Sequence, residues 1–100
     1  MIRHTVVFKL KHPKGSREEK EFLIAIQKLS SISGIHNFEC LRQISKMNDF
    51  DFGLSMEFVN QQSYDEYTSH PDHLNFVNNR WIKEVKSFIE FDYQPMEKIY

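Results

Sequence analysis

The chain has a single cysteine, Cys40, among its 100 residues. It can close no disulfide within the chain, which fits a reducing compartment and a cytoplasmic location. Cys40 falls in a predicted strand with no base beside it in sequence, so a buried, inert thiol is expected. No apolar stretch approaches the roughly 20 residues that span a bilayer. The opening Met1-Ile2-Arg3-His4 carries no apolar leader pattern. No charge of one sign dominates: 13 basic and 14 acidic side chains are interspersed, for a net charge of −1. Such a surface projects no long-range field toward nucleic acid or anionic lipid, and neither is expected as a partner. The small cluster Lys9, Lys11, Lys14 and Arg17 reads as a solvated edge. There is no Gly-rich phosphate loop, no Ser-His-Asp order and no redox cysteine pair. Nucleotide hydrolysis, triad hydrolysis and thiol redox chemistry therefore have no support, and no cofactor is expected. Repeats, low-complexity segments and linkers are also missing, so residues 1–100 are read as one domain.

Aromatic residues are plentiful: nine Phe, four Tyr and one Trp. Each ring buries roughly 150–250 Å², so they indicate a Phe-rich core or an interface. A chain of this length buries only about 60–70% of its unfolded surface, and a second copy that covered more would add stability.

Residues 2–10 alternate, with Ile2, His4, Val6, Phe8 and Leu10 on one face, which predicts a strand. Pro13 and Gly15 mark a loop. Ser16 and Glu19 form a capping-box pattern, and Phe22, Leu23, Ile26 and Leu29 follow at helical spacing, predicting a helix over 17–31 that Gly34 ends. Strands are predicted over 36–46 and 50–59. In the latter, Phe50, Phe52, Leu54, Met56 and Phe58 alternate with Asp51, Gly53, Ser55 and Glu57. A second capping box at Ser63 and Glu66 opens a short helix that Pro71 breaks near residue 69. Pro71 suits the first position of a new helix, carried to residue 87 by Leu74, Val77, Trp81 and Val85. A last strand over 88–94 ends at Pro95, and the tail Met96–Tyr100 is expected to be mobile.

The order β-α-β-β-α-β predicts an α+β, ferredoxin-like domain: a four-stranded antiparallel sheet with both helices on one face. The other face is expected to carry large apolar residues from every strand. Such a face marks an interface, and a second copy of the chain is the simplest cover.

Chemistry concentrates in Tyr67-Thr68-Ser69-His70-Pro71-Asp72-His73 and in His4. Imidazole has an unperturbed pKa suited to a general base near neutrality. The Pro71 break can turn Tyr67 and His73 toward one cavity, with Tyr67 holding a substrate carbonyl and His73 taking a proton. The plainer alternative is that His70, Pro71 and His73 cap the helix junction. His4 is either a hydrogen-bonded core histidine or a pocket residue, and periodicity leaves open which face of the sheet it occupies. His70 and His73 with Asp72 supply too few ligands for a closed zinc site, so no metal is expected.

Three segments together carry a family resemblance. The opening Ile2-Arg3-His4-Thr5-Val6-Val7-Phe8-Lys9-Leu10, the block Tyr67-x-x-His70-Pro71-x-His73-x-x-Phe76 and the closing Phe91-Asp92-Tyr93 resemble the stress-responsive α/β-barrel domain (Dabb) family over nearly the whole chain. The resemblance implies a homodimer in which two ferredoxin-like sheets face one another as a dimeric α/β barrel. In one plant member that closes a linear polyketide into an aromatic acid, the catalytic tyrosine and histidine fall on Tyr67 and His73. Its N-terminal strand histidine falls on His4, and a further pocket histidine falls at or near Phe52, where this chain has no polar group. Two functions follow. The first is a homodimer that binds a small apolar or aromatic molecule between the paired sheets, with His4, Phe8, Phe52, His70 and Trp81 as ligand-binding candidates. The second is a small cofactor-free cyclase, isomerase or monooxygenase with His73 as base and Tyr67 as polar partner.

Overall fold

Strand β1 (Ile2–Leu10) is buried at every second residue: Ile2, His4, Val6, Phe8 and Leu10 all turn inward. The computed structural model in which this is seen describes residues 1–96, so the expected mobile tail lies, beyond Met96, outside the described residues. Strand β2 spans His36–Arg42, β3 Phe52–Phe58 and β4 Val85–Tyr93. The sheet is antiparallel in the order β2-β3-β1-β4, which places β1 and β3 at its centre. Helices α1 (Arg17–Gln27), α2 (Gln61–Ser69) and α3 (Pro71–Phe76) complete the ferredoxin-like fold.

Local chemistry sets the helix ends. The Ser16 hydroxyl accepts from Glu19 N at 3.2 Å, as its pattern predicts, while the Glu19 carboxylate reaches one residue further back, to Gly15 N at 3.2 Å. The helix tightens into a 3₁₀ turn over Lys28–Ser31, and Gly34 takes the left-handed φ of 93° expected of it. Helix α2 starts three residues before its predicted position. Asn60, and not Ser63, is the cap, because the Asn60 side chain accepts from Ser63 N at 2.9 Å. His70 ends α2 and caps α3, its Nδ1 accepting from Asp72 N at 3.0 Å with Pro71 at the first helical position. The helix that follows is not uniform. A π turn occupies Val77–Trp81, and Ile82–Glu84 returns to α geometry. Strand β4 then begins at Val85, three residues earlier than its predicted start, where Val85 pairs with Leu10 across a register shift.

The inward faces of β1 and β3 meet α1 and the π turn. Phe8, Phe22, Ile26, Met56 and Phe58 are sealed from solvent. The Phe8 ring lies 5.9 Å from Phe22, 5.5 Å from Phe52 and 5.1 Å from Trp81. Cys40 packs half-buried against this core, and burial pushes its thiol pKa up, so it stays protonated. Three of the four charges of the predicted basic edge are paired: Lys9 with Asp49 and Asp51, Lys14 with Asp51, and Arg17 with Glu21.

The outward sheet face differs from the expectation of apolar groups on every strand. Strand β3 presents Gly53, Ser55 and Glu57 there, and Arg3 of β1 pairs with Glu57 at 3.0 Å. The apolar groups concentrate instead on β4, where Ile89, Phe91 and Tyr93 are exposed, with Val7 beside Ile89 on β1 and Leu41 beyond Gly53 on β2. The reason lies in the alternation: the bulky set of β3 is used entirely on the helix side.

Replacing Phe22 by alanine removes the ring that joins α1 to Phe8 and Trp81. The expected loss is about 3–5 kcal/mol of unfolding free energy, measured by urea denaturation as a lower midpoint with unchanged slope.

Candidate functional site

Between the sheet and the helices lies a cavity of about 650 Å³. Its floor is apolar: Val6, Ile26, Leu29, Leu54, Phe76 and Trp81. Polar groups gather at the end formed by β1, α2 and α3, which contribute His4, Tyr67 and His73, with Glu90 of β4 opposite. Phe88 and Ile82, both exposed, stand at the mouth. A volume of this size suits a small organic molecule.

His4 is 5% exposed although it lies on an apolar strand. Cross-strand pairing supplies its partner: His4 sits opposite Asp92, and its Nδ1 lies 2.6 Å from Asp92 Oδ1. The Tyr64 hydroxyl donates to Asp92 Oδ2 at 2.7 Å and lies 3.0 Å from the same His4 nitrogen. A carboxylate only accepts, so Nδ1 carries the hydrogen, and in the neutral ring Nε2 is left as an acceptor. Burial, with the hydrogen bond to Asp92 second, pushes the Tyr64 phenol well above its usual range.

His73 is held in the same tautomer by a different partner. Its Nδ1 donates to the Thr68 carbonyl at 3.0 Å, a bond that the Pro71 break makes possible by turning α3 back over the end of α2. The ring packs on Tyr67 with centroids 4.4 Å apart, and the Tyr67 ring lies 6.2 Å from His4. Burial holds the His73 pKa below its ordinary value, against the opposing effect of the Thr68 carbonyl. Tyr67 is 2% exposed, and burial, reinforced by the Glu90 carboxylate, keeps its phenol protonated far above neutrality.

Three polar atoms therefore face the cavity without a protein partner among the described residues: His4 Nε2, His73 Nε2 and the Tyr67 hydroxyl. No sealed side-chain nitrogen or oxygen among the described residues lacks a hydrogen bond, so these atoms keep accessible surface, and the cavity supplies it.

Of the residues singled out by sequence, His4, Tyr67, His73 and Trp81 meet at this cavity. Phe8 and Phe52 do not. They lie deeper, with their rings in tilted contact in the core. His70 is also away from the wall, because its ring is committed to capping α3. The cavity is within one chain and not between two sheets, because the face that carries His4 turns toward the helices. Tyr64, Asp92 and Glu90 were missed. The available signal was Glu90 and Asp92 alternating with Ile89, Phe91 and Tyr93 along an otherwise apolar run. Tyr64 has no such signal, since only the tertiary fold brings it to Asp92.

The lowered His73 pKa predicts its titration. In the folded chain, NMR should show the ring protonating below the ordinary value of 6.5. The unfolded chain binds that proton first on acidification, so the contribution of buried His73 to stability is present above 6.5 and is lost as pH falls through the folded value. His73→Gln should flatten that segment of the stability–pH curve.

The Stress responsive A/B Barrel Domain (Dabb) profile matches residues 2–95. A Dabb family protein with a ferredoxin-like fold from Mesorhizobium loti is 55% identical, with 96% of this chain and 97% of that one covered and a TM-score of 0.95. A dimeric protein of unknown function and ferredoxin-like fold from Bacteroides fragilis is 21% identical over 93% of this chain and 94% of that one, at a TM-score of 0.72. A hydroxynitrile lyase from Passiflora edulis is 12% identical over 99% and 96%, at a TM-score of 0.83. No curated protein matches the chain in sequence. The matched profile and the close Mesorhizobium relative agree with the fold: the chain belongs to the stress responsive A/B barrel domain family.

Proposed function

We propose that this domain binds a small apolar or aromatic molecule in the cavity between its sheet and helices. One observation carries this reading: an apolar space of about 650 Å³ ends in three polar atoms that no described protein group satisfies. Buried polar groups are ordinarily paired, and unpaired ones at the end of a cavity are typical of a ligand site. The domain works as a homodimer. Exposed Ile89, Phe91 and Tyr93 on the outward face of β4 are the surface that favours this, and fold neighbours described as dimeric agree with it. A lone protonated thiol fits a cytoplasmic setting.

A second reading is favoured by the His73 tautomer. With Nδ1 fixed by Thr68, Nε2 presents a lone pair on a ring packed against Tyr67, an arrangement suited to cofactor-free proton abstraction. His73 would remove a proton while Tyr67 donates a hydrogen bond to the developing oxyanion. The enzyme analogy at the level of fold adds little, since one fold hosts many chemistries.

A thermal-shift screen of small aromatics tests the first reading. A ligand at 100 times its dissociation constant should stabilise the domain by about 2.7 kcal/mol. Val77→Trp, which fills the cavity, should abolish the shift; a shift that persists in that variant would place binding elsewhere. His73→Ala should keep binding but lose turnover if the second reading holds, and unchanged turnover would remove it. For assembly, sedimentation should show a dimer that Phe91→Lys dissociates. A wild-type monomer at micromolar concentration would refute it.

A further inference from the structure

We infer that the polar end of the cavity selects an uncharged aromatic ligand bearing two hydroxyl groups, and that Asp92 sets this preference by fixing the His4 tautomer. This rests on reading the cavity as a binding site. It goes further in naming what the ligand must offer.

The argument is one of donor and acceptor parity. His73 Nδ1 gives its hydrogen to the Thr68 carbonyl at 3.0 Å, so Nε2 can only accept. His4 Nδ1 gives its hydrogen to Asp92 at 2.6 Å, so in the neutral ring its Nε2 also only accepts. The two imidazoles flank one aromatic ring, Tyr67, whose own hydroxyl is free to donate or accept. A cavity that ends in two obligate acceptors is satisfied by two donors. A ketone, an ether or a carboxylate brings only acceptors and leaves both nitrogens unpaired, and leaving a buried acceptor unpaired is costly. Glu90, on the same wall, further disfavours an anion at this end. Lys86, also on the wall, is four residues away along β4, about 13 Å at the usual strand rise. It therefore serves the opposite end. The apolar wall between, where Trp81 of the floor meets Phe88 of the mouth edge-on at 5.4 Å, accepts a flat ring.

Asp92 is a positioning residue in this scheme. The Tyr64 hydroxyl donates to Oδ2 at 2.7 Å and must keep an acceptor. In Asp92→Asn the amide oxygen fills that role, and the amide NH₂ then meets His4 Nδ1. The His4 hydrogen is driven to Nε2, and one cavity acceptor becomes a donor.

Calorimetric titration with a dihydroxynaphthalene and with its dimethyl ether tests this. The wild-type chain should bind the diol about tenfold or more tightly than the ether. In D92N that preference should shrink or reverse, and nitrogen NMR of the imidazoles should show His4 changed from the Nδ1–H to the Nε2–H form. Equal binding of diol and ether by the wild type overturns the inference while leaving the cavity a binding site, and decides the matter even if D92N fails to fold. In folded D92N, an unchanged preference or an unchanged His4 tautomer also overturns it. If neither compound binds, both this inference and the binding reading fall.

Discussion

Phe8 is where sheet and helices are joined. Its ring, with no exposed surface, touches Phe22 of α1, Phe52 of β3 and Trp81 of the π turn. Those contacts fill the space between layers at one end of β1. Four residues earlier on the same face, His4 meets a second aromatic cluster, Tyr64 and Tyr67, with Phe58 and His73 packed against them. The cavity is lined from both clusters, by His4, Tyr67 and His73 of the one and Trp81 of the other. Close packing is the rule in protein interiors, so a gap beside so well-filled a cluster is a property of the architecture. Trp81 belongs both to the Phe8 cluster and to the cavity wall.

The polar end is organised by two unlike constraints that give one outcome. Strand pairing brings Asp92 opposite His4, so a sheet register fixes the first imidazole. A proline-broken helix brings His73 back to the Thr68 carbonyl, so a chain reversal fixes the second. Both rings are locked through Nδ1. Tyr67, held between them and nearly devoid of exposed surface, keeps its hydroxyl protonated. A site whose parts are held by the backbone in this way is ordered before any ligand arrives, which lowers the entropic cost of binding.

Much of the fold could be read from the chain. Alternation in β1 and β3 is strict, and Ser16 and Pro71 act at the helix ends as their chemistry requires. What failed did so for identifiable reasons. The Ser63 pattern masked Asn60, since both lie three residues from a plausible partner and only backbone geometry separates them. The π turn adds a residue to its helical turn, so no simple spacing locates the start of β4 at Val85. Period two assigns residues to two faces but carries no information on which face the helices cover, so the face occupied by His4 stayed open until the fold placed it toward the helices. Within the site, His4, Tyr67, His73 and Trp81 were visible by residue type. Asp92 and Tyr64 were not, because their role exists only through contacts 88 and 60 residues away in sequence from His4.

Trp81 is the chain's one tryptophan, and its indole forms part of the cavity wall. The domain thus carries an intrinsic optical probe at the place where occupancy changes. Its emission colour and quenching report the wetness of that space without a label, and no second indole dilutes the signal.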